Sequence, residues 1–110
     1  MKQEEHQLQV AIVNYLRYNG YLVFSVPNAG ARSKRMGGYY KAEGLLAGVS
    51  DLILVLPNEV IFIELKIGTE KQKPPQKEFE KRVKELGYQY WLIYCIEQLI
   101  VNINAFTNEN

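Results

Sequence analysis

Residues 48–66 read GVSDLILVLPNEVIFIELK, and this stretch decides the fold. Two apolar runs, residues 52–56 and 60–63, are separated by a Pro57-Asn58 turn. Because both faces of each run are apolar, the pattern predicts a pair of central strands rather than half-exposed ones. Charged side chains seldom lie at buried strand positions without a partner or a function. The charges at one end of this hairpin are Asp51, Glu64 and Lys66.

Strand register decides whether the two carboxylates meet. A two-residue loop at Pro57-Asn58 sets Asp51 directly opposite Glu64, with Cβ atoms about 5 Å apart. A four-residue loop shifts the pairing by two, which leaves Asp51 opposite Lys66 and keeps Glu64 on the same face. An odd loop length separates the carboxylates unless a bulge compensates. The sequence therefore predicts a carboxylate pair only for some loop lengths.

Two carboxylates in contact require either a shared proton or a cation between them. Hard oxygen ligands with open positions suit Mg²⁺ or Mn²⁺. Lys66 lies two residues after Glu64 on the same strand face, where its ammonium can contact a phosphate oxygen or an attacking water. Together these groups suit phosphodiester hydrolysis. The alternative is an ordinary salt bridge of Lys66 with Asp51 or Glu64.

The spacing of these residues resembles that of a known nuclease core. Gly48-Val49-Ser50-Asp51 followed by Glu64-Leu65-Lys66 is similar to the PD-(D/E)XK motif, with Ser50 where the motif name has proline. Over nearly its whole length the chain resembles the virus-type replication-repair nuclease (VRR-NUC) family. Members of that family begin with a Glu-x-x-x-Gln helix, here Glu5 and Gln9, and carry a later helix led by glutamine, here Gln76.

This resemblance implies roles for particular residues. Asp51 and Glu64, helped by the Leu65 carbonyl and Glu5, would hold Mg²⁺ or Mn²⁺. Lys66 would stabilise charge at the phosphate. Gln76 would orient Lys66 or the attacking water, unless it only caps its own helix. The implied catalytic set is Glu5, Asp51, Glu64, Lys66 and Gln76.

The expected fold class is α/β, a restriction-endonuclease-like PD-(D/E)XK core with a central mixed sheet flanked by helices. Apolar residues at helical spacing follow Glu5, although Glu4 also shares a face with apolar residues and competes for the same role. Pro74-Pro75 begins a later helix that Gly87 ends. The predicted order is α-β-β-β-α-β-α. Its elements span residues 4–18, 21–26, 52–56, 60–63, 74–86, 88–95 and 97–106.

Basic residues concentrate in the segment 28–44, which has four glycines and no acidic residue before Glu43. We expect a flexible Gly-rich loop that closes over a DNA backbone. A solvated linker is the alternative interpretation. The expected DNA-binding residues are Arg32, Lys34, Arg35 and Lys41.

Composition narrows the class of protein. At 110 residues, residues 1–110 are expected to form a single nuclease domain. The lone Cys95 excludes an internal disulfide, and the lone His6 excludes a histidine zinc site and leaves no convincing Ser-His-Asp triad. No Gly-Lys-Ser/Thr sequence indicates a nucleotide cofactor. No apolar run approaches a membrane span of about 20 residues, and a cytoplasmic location is expected.

The function implied by the resemblance is a metal-dependent, structure-selective DNA endonuclease. Stand-alone members of the family look like homodimeric junction resolvases, so a Holliday-junction-resolvase-like homodimer is the expectation. The alternatives are a general nicking or flap nuclease, and a non-catalytic DNA-binding module that retains the fold.

Overall fold

The computed structural model describes residues 3–27 and 34–109. Within these ranges the chain forms helices and strands in the order α-β-α-β-β-α-β-α. None of the helices in the two ranges is long and apolar enough to cross a lipid bilayer. The elements are α1 (Gln3–Tyr18), β1 (Leu22–Ser25), α2 (Lys34–Ala42), β2 (Leu52–Leu56), β3 (Glu59–Leu65), α3 (Pro74–Glu85), β4 (Gln89–Ile93) and α4 (Ile96–Glu109).

The four strands form one mixed sheet in the order β1-β2-β3-β4. The pairs β1–β2 and β2–β3 are antiparallel, and β3–β4 is parallel. A parallel pair needs a crossover connection, and α3 supplies it. The two apolar runs of the hairpin are the central strands, as their lack of a polar face predicts. The expected α/β class, with a central mixed sheet flanked by helices, is confirmed.

The β2–β3 hairpin has the two-residue loop. Leu56 pairs with Glu59, and Leu52 pairs with Ile63. Asn58 takes the left-handed conformation, with φ 61°, which asparagine tolerates better than most residues with a Cβ. Continuing the register past Leu52 sets Asp51 opposite Glu64, which is the first of the three arrangements that the sequence left open.

The two faces of the sheet are covered by different helices. Apolar side chains of α1 and α4 bury one face, where each fully buried leucine or isoleucine contributes roughly 1.5–3 kcal/mol. The other face carries Phe62, Glu64 and Tyr90, and α3 places Phe79 against two of these rings. The site therefore lies at the end of the hairpin, beside the helix that crosses over to β4. The buried residues contributed by α1 and α4 are Ile12, Leu16, Leu99 and Ile103.

The prediction of a loop throughout residues 28–44 was wrong for residues 34–42, which form α2. Gly37-Gly38 disfavours a helix by about 1 kcal/mol per glycine. The segment has no proline, however, and alanine, methionine, lysine and arginine are good helix formers. Gly44 has φ 110°, and the N–H groups of residues 44 and 45 bond back to carbonyls of α2. Gly44 thus ends a helix.

Candidate active site

Asp51 and Glu64 lie side by side at the end of the hairpin. The backbone N–H of Leu65 donates to Asp51 Oδ2 at 2.8 Å, which fixes the aspartate against β3. Glu64 is only 2% exposed, and its carboxyl group hydrogen bonds that of Asp51. Because two ionised carboxylates in contact repel each other, this arrangement favours a shared proton or a cation between them.

Burial raises the pKa of both carboxyl groups above their ordinary values. For Glu64 the pKa rises to about 8, first because of burial and then because of the negative charge of Asp51. Burial likewise raises the pKa of Asp51, against the hydrogen bond from the Leu65 N–H. The Lys66 ammonium lowers both values but does not outweigh burial. The nearby positive charge is therefore too small to offset the effect of burial on the two carboxyl groups.

Lys66 is a buried cation beside this pair. The residue is 7% exposed, and its Nζ lies 3.9 Å from Glu64 Oε2. Its backbone N–H donates to the Ile93 carbonyl at 3.0 Å, which ties the end of β3 to β4. Lys66 and Glu64 therefore form the ion pair that the sequence offered as the alternative. A catalytic role for Lys66 stays a prediction.

Gln76 uses both ends of its amide group. Its Oε1 accepts a hydrogen bond from the backbone N–H of Lys73 at 2.7 Å, which caps the start of α3. Its Nε2 donates to Glu64 Oε2 at 3.1 Å. The sequence left helix capping and a role in the site as alternatives, and the structure combines them. The site residue that Gln76 contacts is Glu64.

Gly48 brings the Asp51 loop against the start of α3. Its φ is 84°, and a Cβ added there would overlap the carbonyl oxygen of Pro75 and lie 2.8 Å from the Gln76 nitrogen. Only glycine allows two backbones to approach this closely with that dihedral angle. This contact explains why a glycine stands three residues before Asp51, because it sets the distance between the aspartate loop and Gln76.

Glu5 faces the carboxylate pair from the first turn of α1. It is half-buried, and its pKa is raised first by burial and then by the negative charges of Asp51 and Glu70. Glu4, the competing candidate, is exposed. Gln9, one turn after Glu5, has a buried Oε1 with no hydrogen-bond partner among the described residues. Helix α1 thus turns Glu5 rather than Glu4 towards the site.

Sequence reasoning missed three residues around the site. Glu70 lies in the loop after β3, where its Oε1 accepts a hydrogen bond from the Ile67 N–H at 3.0 Å. The Tyr90 hydroxyl lies 3.5 Å from Glu64 Oε1, and Gln72 Nε2 donates to that hydroxyl at 3.3 Å. The sequence predicted that Tyr90 lies in the last strand. Its contact with Glu64 depends on the register of that strand against its parallel neighbour, which local residue spacing does not determine.

The basic residues expected to bind DNA are separated from this cluster along the chain. Lys41 is exposed in the last turn of α2. Lys34 and Arg35 open the same helix. Arg32 lies outside the described residues. Their part in DNA binding stays a prediction.

Comparison with solved structures places the arrangement in a known fold. A chain described as "VRR_NUC domain protein" superposes with a TM-score of 0.77 at 20% sequence identity, covering 96% of this chain and 88% of that one. This chain has the VRR_NUC fold. A second chain, described as "VRR_NUC domain", has a TM-score of 0.68 at 21% identity, with 94% and 97% of the two chains covered. No family model and no curated protein sequence matches.

The donor set at the end of the hairpin fits a hard divalent cation. In this VRR_NUC fold, Asp51 and Glu64 supply carboxylate oxygens. The Lys66 ammonium beside them does not offset the effect of their burial. No group of three or more His, Cys, Asp or Glu side chains within residues 3–27 and 34–109 is arranged as a complete metal site. Mg²⁺ needs no such group, because it commonly binds one or two carboxylates and keeps several waters.

Glu64→Gln is expected to stabilise the metal-free protein above about pH 8 by up to roughly 5 kcal/mol, and to change it little near pH 4. The pKa of Glu64 rises from 4.5 to about 8 on folding, so the folded state loses stability as the pH rises through that window. A glutamine cannot ionise and escapes this loss. Urea unfolding of both proteins across the pH range measures the difference.

The matched control is Glu59→Gln, which changes a carboxylate at the opposite end of the same strand. It should leave the pH dependence of unfolding as in the wild type. Parallel stability curves for wild type and Glu64→Gln from pH 4 to 8, within error, would contradict the buried carboxyl pair.

Proposed function

We propose that this protein is a metal-dependent DNA endonuclease that hydrolyses phosphodiester bonds. The observation that carries the proposal is the carboxyl pair formed by buried Glu64 and half-buried Asp51, with buried Lys66 beside it. The VRR_NUC fold supports it, since the family that the sequence resembles consists of nucleases. Burial of the charged residues Glu64 and Lys66 at one strand end costs stability, which favours a catalytic over a purely structural role.

Asp51 and Glu64 would hold Mg²⁺ or Mn²⁺, with the Leu65 carbonyl and Glu5 as further ligands, directly or through water. When bound, the cation supplies Lewis acidity, which lowers the pKa of a water ligand and offsets charge on the phosphate. Asp51 is preorganised for this role because the Leu65 N–H holds one of its oxygens. Glu64 is preorganised by Gln76.

Lys66 would act on the substrate rather than on its neighbours. Its ammonium is held among carboxyl groups in a site with little water, where a charge interaction is stronger than in bulk solvent. From there it would stabilise the charge that grows on the phosphate oxygens, or hold the attacking water. Gln76 keeps the Glu64 carboxylate in one orientation throughout.

The basic segment 28–44, which precedes the hairpin, would bind DNA. Lys41 is exposed at the end of α2, and Lys34 and Arg35 open that helix. Together with Arg32 they would contact the phosphate backbone, whose negative charge supplies most of a nuclease's affinity for DNA. The remainder of the chain is nearly balanced in charge, so this local concentration matters more than the net charge of +1.

The proposed substrate is a branched DNA such as a four-way junction, and the proposed assembly is a homodimer. Symmetric cutting of two strands needs two active sites related by a twofold axis, which a homodimer supplies. Support comes from the stand-alone family members that the sequence resembles, which look like homodimeric junction resolvases.

Purified protein is expected to cut a four-way junction in Mg²⁺ or Mn²⁺ and to show no cleavage in EDTA. Four-way junction, flap, single-stranded and linear duplex DNA of matched sequence should be compared side by side. Junction cleavage should be several-fold faster than duplex cleavage, because a twofold dimer presents two sites to one branched molecule. Sedimentation at the assay concentration should give the mass of a dimer.

Each negative result in these assays would favour a different alternative function. Equal cutting of junction and duplex, or a monomer in sedimentation, would leave a general nicking or flap nuclease. Binding of DNA with no cleavage, and no metal-dependent rise in melting temperature, would identify a non-catalytic binding module. The thermal shift is measured with Asp51→Asn as the control that should not respond to metal.

A further inference from the structure

Tyr90 carries a buried hydroxyl beside Glu64 to which the proposed mechanism gives no task. It lies in β4, is 7% exposed, and pairs in register with Phe62, two residues before Glu64 on the same face. Its hydroxyl oxygen lies 3.5 Å from Glu64 Oε1. The tyrosine thus reaches Glu64 from the neighbouring strand, on the same face of the sheet.

The direction of the hydrogen bonds around this hydroxyl is determined. Gln72 Nε2 donates to the Tyr90 oxygen at 3.3 Å, and the same glutamine side chain hydrogen bonds the Glu80 carboxylate. Because the tyrosine oxygen is used as an acceptor, its own proton is directed to Glu64 Oε1.

The ring of Tyr90 is also held. Phe79 of α3 packs edge-on against it, with ring centroids 6.2 Å apart. An aromatic ring fixed by such a contact and by a hydrogen bond to its hydroxyl has little freedom to turn away from Glu64. The donor is therefore preorganised, at no cost in side-chain entropy when a ligand arrives.

The two oxygens of Glu64 are consequently held by two different elements. Gln76 of α3 donates to Oε2 at 3.1 Å, and Tyr90 of β4 donates to Oε1. The 3.5 Å separation is longer than the usual hydroxyl–carboxylate bond of about 2.5–3.0 Å. A carboxylate that binds a cation is ionised, and hydrogen bonds to ionised oxygens are shorter. Metal binding would therefore draw the two groups together.

We propose that Tyr90 is a positioning residue for metal binding: its hydroxyl, directed by Gln72, fixes the orientation in which Glu64 meets the cation. This role rests on the proposed function, because it assigns a task within the same site. Groups that orient a metal ligand commonly change metal affinity by one to two orders of magnitude when removed. Tyr90 touches neither substrate nor metal, so its effect acts through Glu64.

The test is Tyr90→Phe, which removes the hydroxyl and keeps the ring against Phe79. Mn²⁺ binding to the full chain is measured by titration calorimetry without DNA, and cleavage is measured as a function of Mn²⁺ concentration. The dissociation constant for Mn²⁺ should rise about tenfold. The cleavage rate at saturating Mn²⁺ should return close to that of the wild type, because the hydroxyl acts only on metal binding.

Tyr88→Phe is the matched control. It makes the same chemical change at a ring whose centroid lies 6.4 Å from that of Phe62 and which is 44% exposed. It should leave Mn²⁺ binding unchanged. Gln72→Met is a second variant, placed in a loop where folding is less at risk, and should weaken Mn²⁺ binding to a smaller extent by releasing the hydroxyl.

The outcomes separate this role from the function on which it rests. If Tyr90→Phe binds Mn²⁺ as tightly as the wild type, the role of Tyr90 is overturned and the nuclease proposal stands. If the variant's rate stays low at saturating Mn²⁺, the residue is structural and the role is equally overturned. If the wild-type protein binds no Mn²⁺, the metal centre itself is overturned, and the role of Tyr90 with it.

Discussion

Replacing Asp51 with asparagine is expected to lower the rate of Mg²⁺-dependent DNA cleavage by about a thousandfold or more. The change removes one of the two carboxylates proposed to hold the metal. It keeps an oxygen that can accept the hydrogen bond from the Leu65 N–H, so the end of the hairpin stays in place. Cleavage of a labelled four-way junction, with the variant's melting temperature measured alongside, tests the prediction.

Asparagine is a better substitution here than alanine. Alanine would relieve the repulsion between Asp51 and Glu64, but it would also leave the Leu65 N–H without its acceptor, at a cost of about 1–3 kcal/mol. Its effect on stability is thus a balance of two terms, whereas Asp51→Asn should leave the fold as stable as the wild type or more so. Glu59→Gln, a carboxylate change on the same hairpin, should keep full activity. An Asp51→Asn protein that cuts as fast as the wild type would remove the proposed site.

Gly48→Ala is expected to destabilise the protein by roughly 2–5 kcal/mol. Two costs add at this position: a left-handed dihedral angle that disfavours any Cβ, and an overlap with the backbone of Pro75 at the start of α3. Neither partner can move without shifting a whole element. Because Gln76 follows Pro75 directly, the same shift should separate Gln76 from Glu64 and reduce cleavage. Urea unfolding measures the loss of stability, and the rate of Mg²⁺-dependent junction cleavage measures the loss of activity.

Gly87→Ala separates the two costs. Gly87 has φ 90°, but the space around its added Cβ is open. This variant should therefore lose only the stability that the dihedral angle costs, about 1–2 kcal/mol. Equal destabilisation by Gly48→Ala and Gly87→Ala would mean that the contact with Pro75 contributes nothing.

Much of the site could be predicted because it depends on a short hairpin. Side chains alternate between the two faces of a strand, and a two-residue turn fixes which residues face each other across the hairpin. Pairing Leu56 with Glu59 therefore also sets Asp51 opposite Glu64. Glu5 could be distinguished from Glu4 only through the resemblance, although both share a face with apolar residues. The structure places Glu5 towards the carboxyl pair and leaves Glu4 exposed.

The helix α2 was missed for a different reason. Glycine is a strong local signal for loops, and Gly37-Gly38 outweighed the helix-forming residues around it in the sequence interpretation. Propensity is a weak indicator for a nine-residue segment, since a difference of about 1 kcal/mol per residue decides the outcome. The physical error was to treat Gly44 as a source of flexibility when its positive φ ends a helix.

By itself the sequence determined the hairpin and the charged residues at its end, because the alternation of a strand and the length of a turn are local properties. Only the tertiary structure decided that Gln76 and Tyr90 hold the two oxygens of Glu64. Both depend on the crossover between β3 and β4, whose register is set by packing across more than twenty residues and by the close approach of Gly48 to Pro75. Local residue spacing does not determine such contacts, because they depend on how whole helices and strands pack together.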